Sequence, residues 1–396
     1  MRGPTTGAGP LYRDYGEEKM LNARALAATA LLPLVANAQN QINMSTGISE
    51  AGVVITDLGA EIYGLHMLIF WICVAIGIGV FGVMLYSIYA HRKSRGVEAS
   101  QFHENTQVEI AWTVVPFIIL VGMAVPATST LLEVYDNDDA EMSILVTGYQ
   151  WKWKYEYLDA DGENVAFFSN LATSQEQIYN TDTKGQNYLL EVDEPLVIPV
   201  DTKVRFLITA NDVIHSWWVP EIAVKRDAIP GFINEAWTRV LAEGVYRGQC
   251  TELCGSYHGF MPVEVHVVSQ GEFDDWMAAK KGAAAADAAL AATELSVEEL
   301  MARGEDVYNT SCLACHGANG EGGLGNAIAG SAIAVGGLDS HLSVIMNGVA
   351  GTAMQAFGAQ LSDVDVAAVT TYQRNAFGNN TGDVVQASDV VTYKEG

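Results

Sequence analysis

The chain has 396 residues, enough for two or three domains that each bury their own core. Its 47 acidic side chains against 21 basic ones leave a formal charge of −26, which makes nucleic acid a poor partner and favours basic proteins. Five cysteines are too few for a disulfide-stapled secreted domain of this length.

In chain order, residues 20–38 read as a secretory signal, with Arg24, an apolar run over 25–35 and the small-residue site Ala36-Asn37-Ala38. The polar stretch before it does not suit a signal, so Met20 is the expected start. Two apolar runs follow, 62–90 and 110–132, each long enough for the roughly 20 residues a membrane-spanning helix needs. Cys73, inside the first, reads as a small buried hydrophobe. The basic loop His91-Arg92-Lys93-Ser94-Arg95 between the runs belongs in the cytoplasm, so both ends of the hairpin face outward, as the signal also requires. Short β-type runs then occupy 143–157, 196–200, 203–210, 236–242 and 261–268, separated by turns such as Ile229-Pro230-Gly231, a pattern that predicts a Greek-key β-sandwich. Lys280-Lys281-Gly282 and the alanine-rich stretch to Thr293 read as a linker or a short helix. Amphipathic patterns over 297–308 and 364–374 predict a small all-α domain. The expected units are therefore an extension and signal (1–38), a transmembrane hairpin (39–135), a β domain (136–279), a linker (280–294), an α domain (295–378) and a tail (379–396).

Residues 250–261 place Cys250, Cys254, His258 and Met261 within one short loop. Thiolates with a thioether are soft ligands that suit copper, whereas a structural zinc site has no use for Met261. One His does not serve two metals, and His215 in Ile214-His215-Ser216-Trp217-Trp218 supplies another. Alone, His215 would read as a hydrogen-bonded surface histidine. Together with Asn211-Asp212-Val213, Asp227-Ala228-Ile229-Pro230-Gly231 and the 250–261 loop, in that order, it resembles subunit II of cytochrome c oxidase. The resemblance implies a cupredoxin-like sandwich with a dinuclear CuA centre. Cys250 and Cys254 would bridge the two coppers, His215 and His258 would each bind one, and Met261 and the Glu252 carbonyl would be weak ligands. It further implies that Trp151, in Gly148-Tyr149-Gln150-Trp151-Lys152-Trp153, is where electrons enter, the bland alternative being an aromatic strand packed on a partner. The Glu252 carboxylate would bind Mg or Mn at the boundary with the catalytic subunit, and Glu109 would stand at the mouth of a proton-uptake channel. A carboxylate at Glu109 equally suits a helix N-terminus.

Cys312-Leu313-Ala314-Cys315-His316 is a C-x-x-C-H haem attachment site, a pattern this composition yields by chance about once in a thousand such chains. Both thiols would add to haem c vinyl groups, with His316 the proximal iron ligand. Met346, Met354 and His341 are the candidates for the distal ligand. Met346 falls in a helical pattern and suits core packing, whereas Met354 lies in an irregular segment similar to the distal-ligand loop of small c-type cytochromes. In that family Pro usually follows the Met; here Gln355 stands in its place.

The whole resembles an oxidase subunit II with a fused cytochrome c, which implies transfer from an external cytochrome or similar donor through haem c and CuA to a catalytic subunit that reduces oxygen. The expected partners are subunit I, other oxidase subunits and membrane lipid, and the expected place is the bacterial inner membrane with both redox domains outside. The alternative is the corresponding subunit of a CuA-containing nitric oxide reductase. A copper-delivery factor anchored by a hairpin would have no use for the haem motif.

Overall fold

The computed structural model describes residues 54–96, 98, 103–158 and 164–395; the expected signal lies outside them. Two long helices come first, α1 (Asp57–Ala90) and α2 (Thr106–Val134). Each begins on a side-chain cap: Gly59 N donates to Thr56 Oγ1 at 2.9 Å, and Val108 N donates to Asn105 Oδ1 at 3.2 Å. Both are apolar on every face and leave Trp71, Phe81 and Trp112 open, as a lipid-facing hairpin requires. Cys73 is exposed on α1 and not buried, because among the described residues no other element covers that face.

The hairpin is tied to the β domain at its outer end. Trp237 Nε1 donates to Glu133 O at 3.0 Å, Arg239 pairs with Asp57 at 2.8 Å, and Thr56 bridges to Val240. The β domain is a sandwich of two five-stranded sheets. One is ordered β3-β2-β1-β5-β8, from β1 (Met142–Tyr149), β2 (Lys152–Leu158), β3 (Val165–Ser169), β5 (Lys203–Ala210) and β8 (Asn234–Arg239). The other is ordered β4-β10-β9-β6-β7, from β4 (Leu196–Pro199), β6 (His215–Val219), β7 (Val224–Ala228), β9 (Gly244–Cys250) and β10 (Pro262–Val268). Alternating residues Val204, Phe206 and Ile208 of β5 and Val263, Val265 and Val267 of β10 turn inward onto Trp153 and Trp217, which are fully buried.

The single run expected over 143–157 is broken at Gln150-Trp151, where the chain turns between β1 and β2. The strand expected over 236–242 ends at Arg239, and β3, β7 and β9 were not anticipated, because runs of five to seven residues without clear apolar–polar alternation carry little periodicity. A four-residue helix, α3 (Gln175–Ile178), sits in the long β3–β4 connection.

Helix α4 (Gln270–Ala291) starts on a capping box of Ser269 and Glu272 and runs unbroken through the alanine-rich stretch. Lys280 pairs with Glu194 of the β domain at 2.5 Å, and Asp287 pairs with Arg303 of the next domain. The α domain holds α5 (Val297–Ser311), α6 (Leu313–His316), α7 (Leu338–Asn347), α8 (Asp363–Asn375) and α9 (Ala387–Glu395). Helices α5 and α8 cross at Gly304, where a Cβ would stand 2.2 Å from Ala368 O. The stretch expected as a tail contributes to this core: Val385, Ala387 and Val390 are buried, the two valines in one cluster with Leu342 and Ile345.

Candidate copper and haem sites

The copper ligands expected from sequence converge at one end of the sandwich. Strand β9 delivers Cys250, the start of β6 delivers His215, and the loop into β10 carries Cys254, His258 and Met261. Cys250 Sγ and Cys254 Sγ are 3.8 Å apart. His215 Nδ1 is 3.9 Å from Cys250 Sγ, and His258 Nδ1 is 3.6 Å from Cys254 Sγ. Met261 Sδ lies 3.5 Å from Cys254 Sγ and the Glu252 carbonyl 3.3 Å from Cys250 Sγ. His215, Cys250 and Cys254 are buried with their ligand atoms within 4.8 Å of one another. Asp212 Oδ1 holds the far nitrogen of His215 at 2.9 Å, which points Nδ1 at the thiols. The backbone makes room for that ring: a Cβ on Gly148 would meet His215 Cδ2 at 2.8 Å.

The electrostatics suit a cation. Cys250 is drawn down to about 4 by a hydrogen bond from Cys254, with His215 and the Ser216 and Glu252 backbone adding to it against the opposing effect of burial. Cys254 is pushed up by the same hydrogen bond and by burial. Burial opposes charging His215, but its bonds to Asp212 and Cys250 outweigh this and raise its pKa. Two thiolates this close repel each other and a cation between them favours ionising both, and the soft set of thiolates, imidazoles and a thioether fits copper. The Glu252 side chain is exposed beside the site.

Trp151 packs beside the Cys254 backbone, its Nε1 donating to Cys254 O at 3.2 Å and its ring 5.2 Å from Tyr257. It also lines a cavity of about 700 Å³ whose wall includes Cys312, Cys315, His316 and Met354. His316 Nδ1 is fixed 2.7 Å from Asn326 O, which leaves Nε2 for iron. A Cβ on Gly325 would meet the His316 ring at 2.9 Å. His341 also faces the cavity, and its buried Nδ1 has no hydrogen-bond partner. Size, the paired thiols and this unpartnered ring nitrogen together fit a haem. Met346 is 8% exposed in the core of α7 and is not part of the cavity wall. Glu109 lies in the first turn of α2, where its carboxylate accepts from Asn105 N at 3.4 Å.

Three family matches cover most of the described chain. Residues 53–129 match the cytochrome c oxidase subunit II transmembrane domain, 142–268 its periplasmic domain, and 299–372 the cbb3-type cytochrome c oxidase subunit III. The probable cytochrome c oxidase subunit 2 of Rickettsia bellii is 43% identical over 225 residues, 57% of this chain and 81% of its own length. This chain belongs to the cytochrome c oxidase subunit II family.

The subunit II of Cereibacter sphaeroides is 35% identical over 238 residues, spanning 57% of this chain and 78% of that one. The crystal structure of the periplasmic domain of subunit II from Bradyrhizobium japonicum shares 39% identity, covering 36% of this chain and 96% of that one with a TM-score of 0.32. The chain is thus the electron-accepting component of an oxidase complex, a membrane-anchored subunit II with a periplasmic copper domain and a fused cytochrome c domain, partnered with the catalytic subunits. The nitric oxide reductase alternative is not favoured by these matches. Sequence reasoning missed Gln150 and Asp212 as parts of the site. Gln150 Nε2 donates to Cys254 O at 2.7 Å and Gln150 N to Asp212 at 2.7 Å, and nothing in their spacing marks a pair 62 residues apart.

Proposed function

We propose that this subunit II takes electrons from an external cytochrome at a haem c held by Cys312, Cys315, His316 and Met354. Two coppers held by His215, Cys250, Glu252, Cys254, His258 and Met261 then serve a separate oxygen-reducing subunit. When bound, the haem accepts one electron at a time and the copper pair passes it on. The protein's own groups orient and insulate that path. Asp212 and Asn326 fix the His215 and His316 imidazoles, Trp151 lies between the haem cavity and Cys254, and Gly148 and Gly325 let backbone approach those two rings. The observation that carries the reading is Trp151, which lines the cavity and donates to the backbone carbonyl of Cys254.

We assign Mg or Mn to the exposed Glu252 carboxylate at the boundary with the catalytic subunit, proton uptake to Glu109, and the bacterial inner membrane as the setting. The decisive experiment is metal and spectral analysis of the purified complex. Two coppers with a mixed-valence signal and one haem c are expected in this subunit. Met354→Leu should abolish the sulfur-to-iron absorption band while Met346→Leu keeps it. One copper, zinc, or a band lost on changing Met346 would overturn the assignment.

A further inference from the structure

Gln355 follows the haem-ligand candidate Met354, and its side chain leaves its own domain. Its Nε2 donates to the Gln150 carbonyl and lies 3.5 Å from Asp212 Oδ2. Its Oε1 accepts from Gln360 Nε2 at 3.2 Å, and Gln360 Nε2 also donates to Ala356 O at 2.8 Å, so the Gln355 amide is held with its donor end outward. The groups it meets are already committed to the copper side. Asp212 holds His215, and Gln150 holds both Asp212 and the Cys254 carbonyl.

A second contact crosses the same seam independently. Lys152, 7% exposed, places its ammonium 4.5 Å from the Phe168 ring of the β domain and 5.1 Å from the Phe357 ring of the haem domain. Tyr257 OH, beside Trp151, reaches Ala314 O at 3.5 Å between the two haem-attachment cysteines. Polar and cation–π contacts of this kind suit two acidic partners, because none of them needs opposite net charges.

We propose that Gln355 is the latch between the two redox domains: it clamps the Met354 loop onto the Gln150-Trp151 turn and so holds the haem cavity at a set distance from the copper thiols. This rests on the haem and copper reading above. It adds no bond and no proton to the one-electron transfer and sets only where its two ends stand. A proline after the methionine has no amide to offer Gln150, whereas Gln355 supplies the donor that a tethered domain uses on its own neighbour.

The test uses the assembled oxidase with spin labels at Lys225→Cys and Glu298→Cys, both exposed, in a Cys73→Ser background. Gln355→Glu places an acceptor against the Gln150 carbonyl and the Asp212 carboxylate. The share of complexes with separated domains should rise about tenfold, as expected for losing one buried hydrogen bond and gaining a repulsion. Haem-to-copper transfer after flash photoreduction should slow, with copper content and the Met354 band unchanged. An unchanged distance distribution with the band intact overturns the latch. Should Gln355→Glu disturb the Met354 band, Gln360→Leu decides instead, since it frees the Gln355 amide and leaves the backbone bonds of Met354 to Thr352 and Val349 in place; there too an unchanged distribution overturns the proposal. A wild-type complex lacking the copper pair or the haem would fail the functional reading separately.

Discussion

His341 sits in the wall of the haem cavity with Nε2 2.9 Å from Gln373 Oε1 and no partner for Nδ1. Burial pushes its pKa down from 6.5 to about 4, against the Gln373 bond and with the nearby Arg374 charge adding to the fall. Because the folded value lies below the unfolded one, the unfolded chain takes the proton first as pH drops. Stability is therefore full above about 6.5 and is lost progressively toward 4, by roughly 3 kcal/mol over that window. Denaturant titrations of wild type and His341→Phe at pH 7 and about pH 4.5 should show the smaller loss in the variant; equal losses would place the acid sensitivity elsewhere. At this scale the sequence was informative where covalent or ligand chemistry marks a residue, as at Cys312, Cys315 and His316. It was silent on Gln150 and Asp212, whose roles exist only because strands far apart in the chain meet.

The helices show what local patterning can and cannot declare. Helix α5 carries its capping box, Ser296 with Glu299, and an apolar stripe that includes the buried Leu300, Val307 and Tyr308, so its existence was readable. That it lies across α8 at a single glycine was not, since a glycine in a helical pattern reads as a mild defect. Gly304→Ala should force α5 and α8 apart, because the added carbon would stand 2.2 Å from Ala368 O and 2.6 Å from Tyr372 Cβ. The expected cost is about 1–3 kcal/mol, read as a lowered unfolding midpoint of the haem domain with the copper signal unaffected. A midpoint equal to wild type would mean that the helices slide apart freely. Helix α4 is a similar case: alanines are compatible with a loose linker, but contacts of Lys280 and Asp287 with the two flanking domains hold the stretch as a helix.

For the whole molecule, α4 is a helix of 22 residues, roughly 33 Å long, fixed to the β domain through Lys280 and to the haem domain through Asp287. A domain held this way meets its neighbour at an effective concentration on the order of millimolar or more. Haem-to-copper transfer should therefore be first-order, independent of enzyme concentration and weakly sensitive to salt. Reduction of the haem by a basic external donor should be second-order and should slow as salt screens the −26 charge. Flash photoreduction at several enzyme concentrations and ionic strengths checks both, and a haem-to-copper rate that scales with enzyme concentration would show electrons crossing between complexes.

The hairpin, the two redox domains and nearly every metal-ligand candidate were legible in the chain, because bilayer length, thiolate chemistry and the haem attachment motif are written in contiguous residues. Only the tertiary structure decided that the stretch after residue 378 completes the haem domain's core. It also decided that Met354, and not Met346, lines the cavity, and that Trp151, Gln150 and Gln355 form one seam. Those outcomes depend on which faces meet across separate domains, and such contacts leave no periodicity or spacing in the chain that carries them.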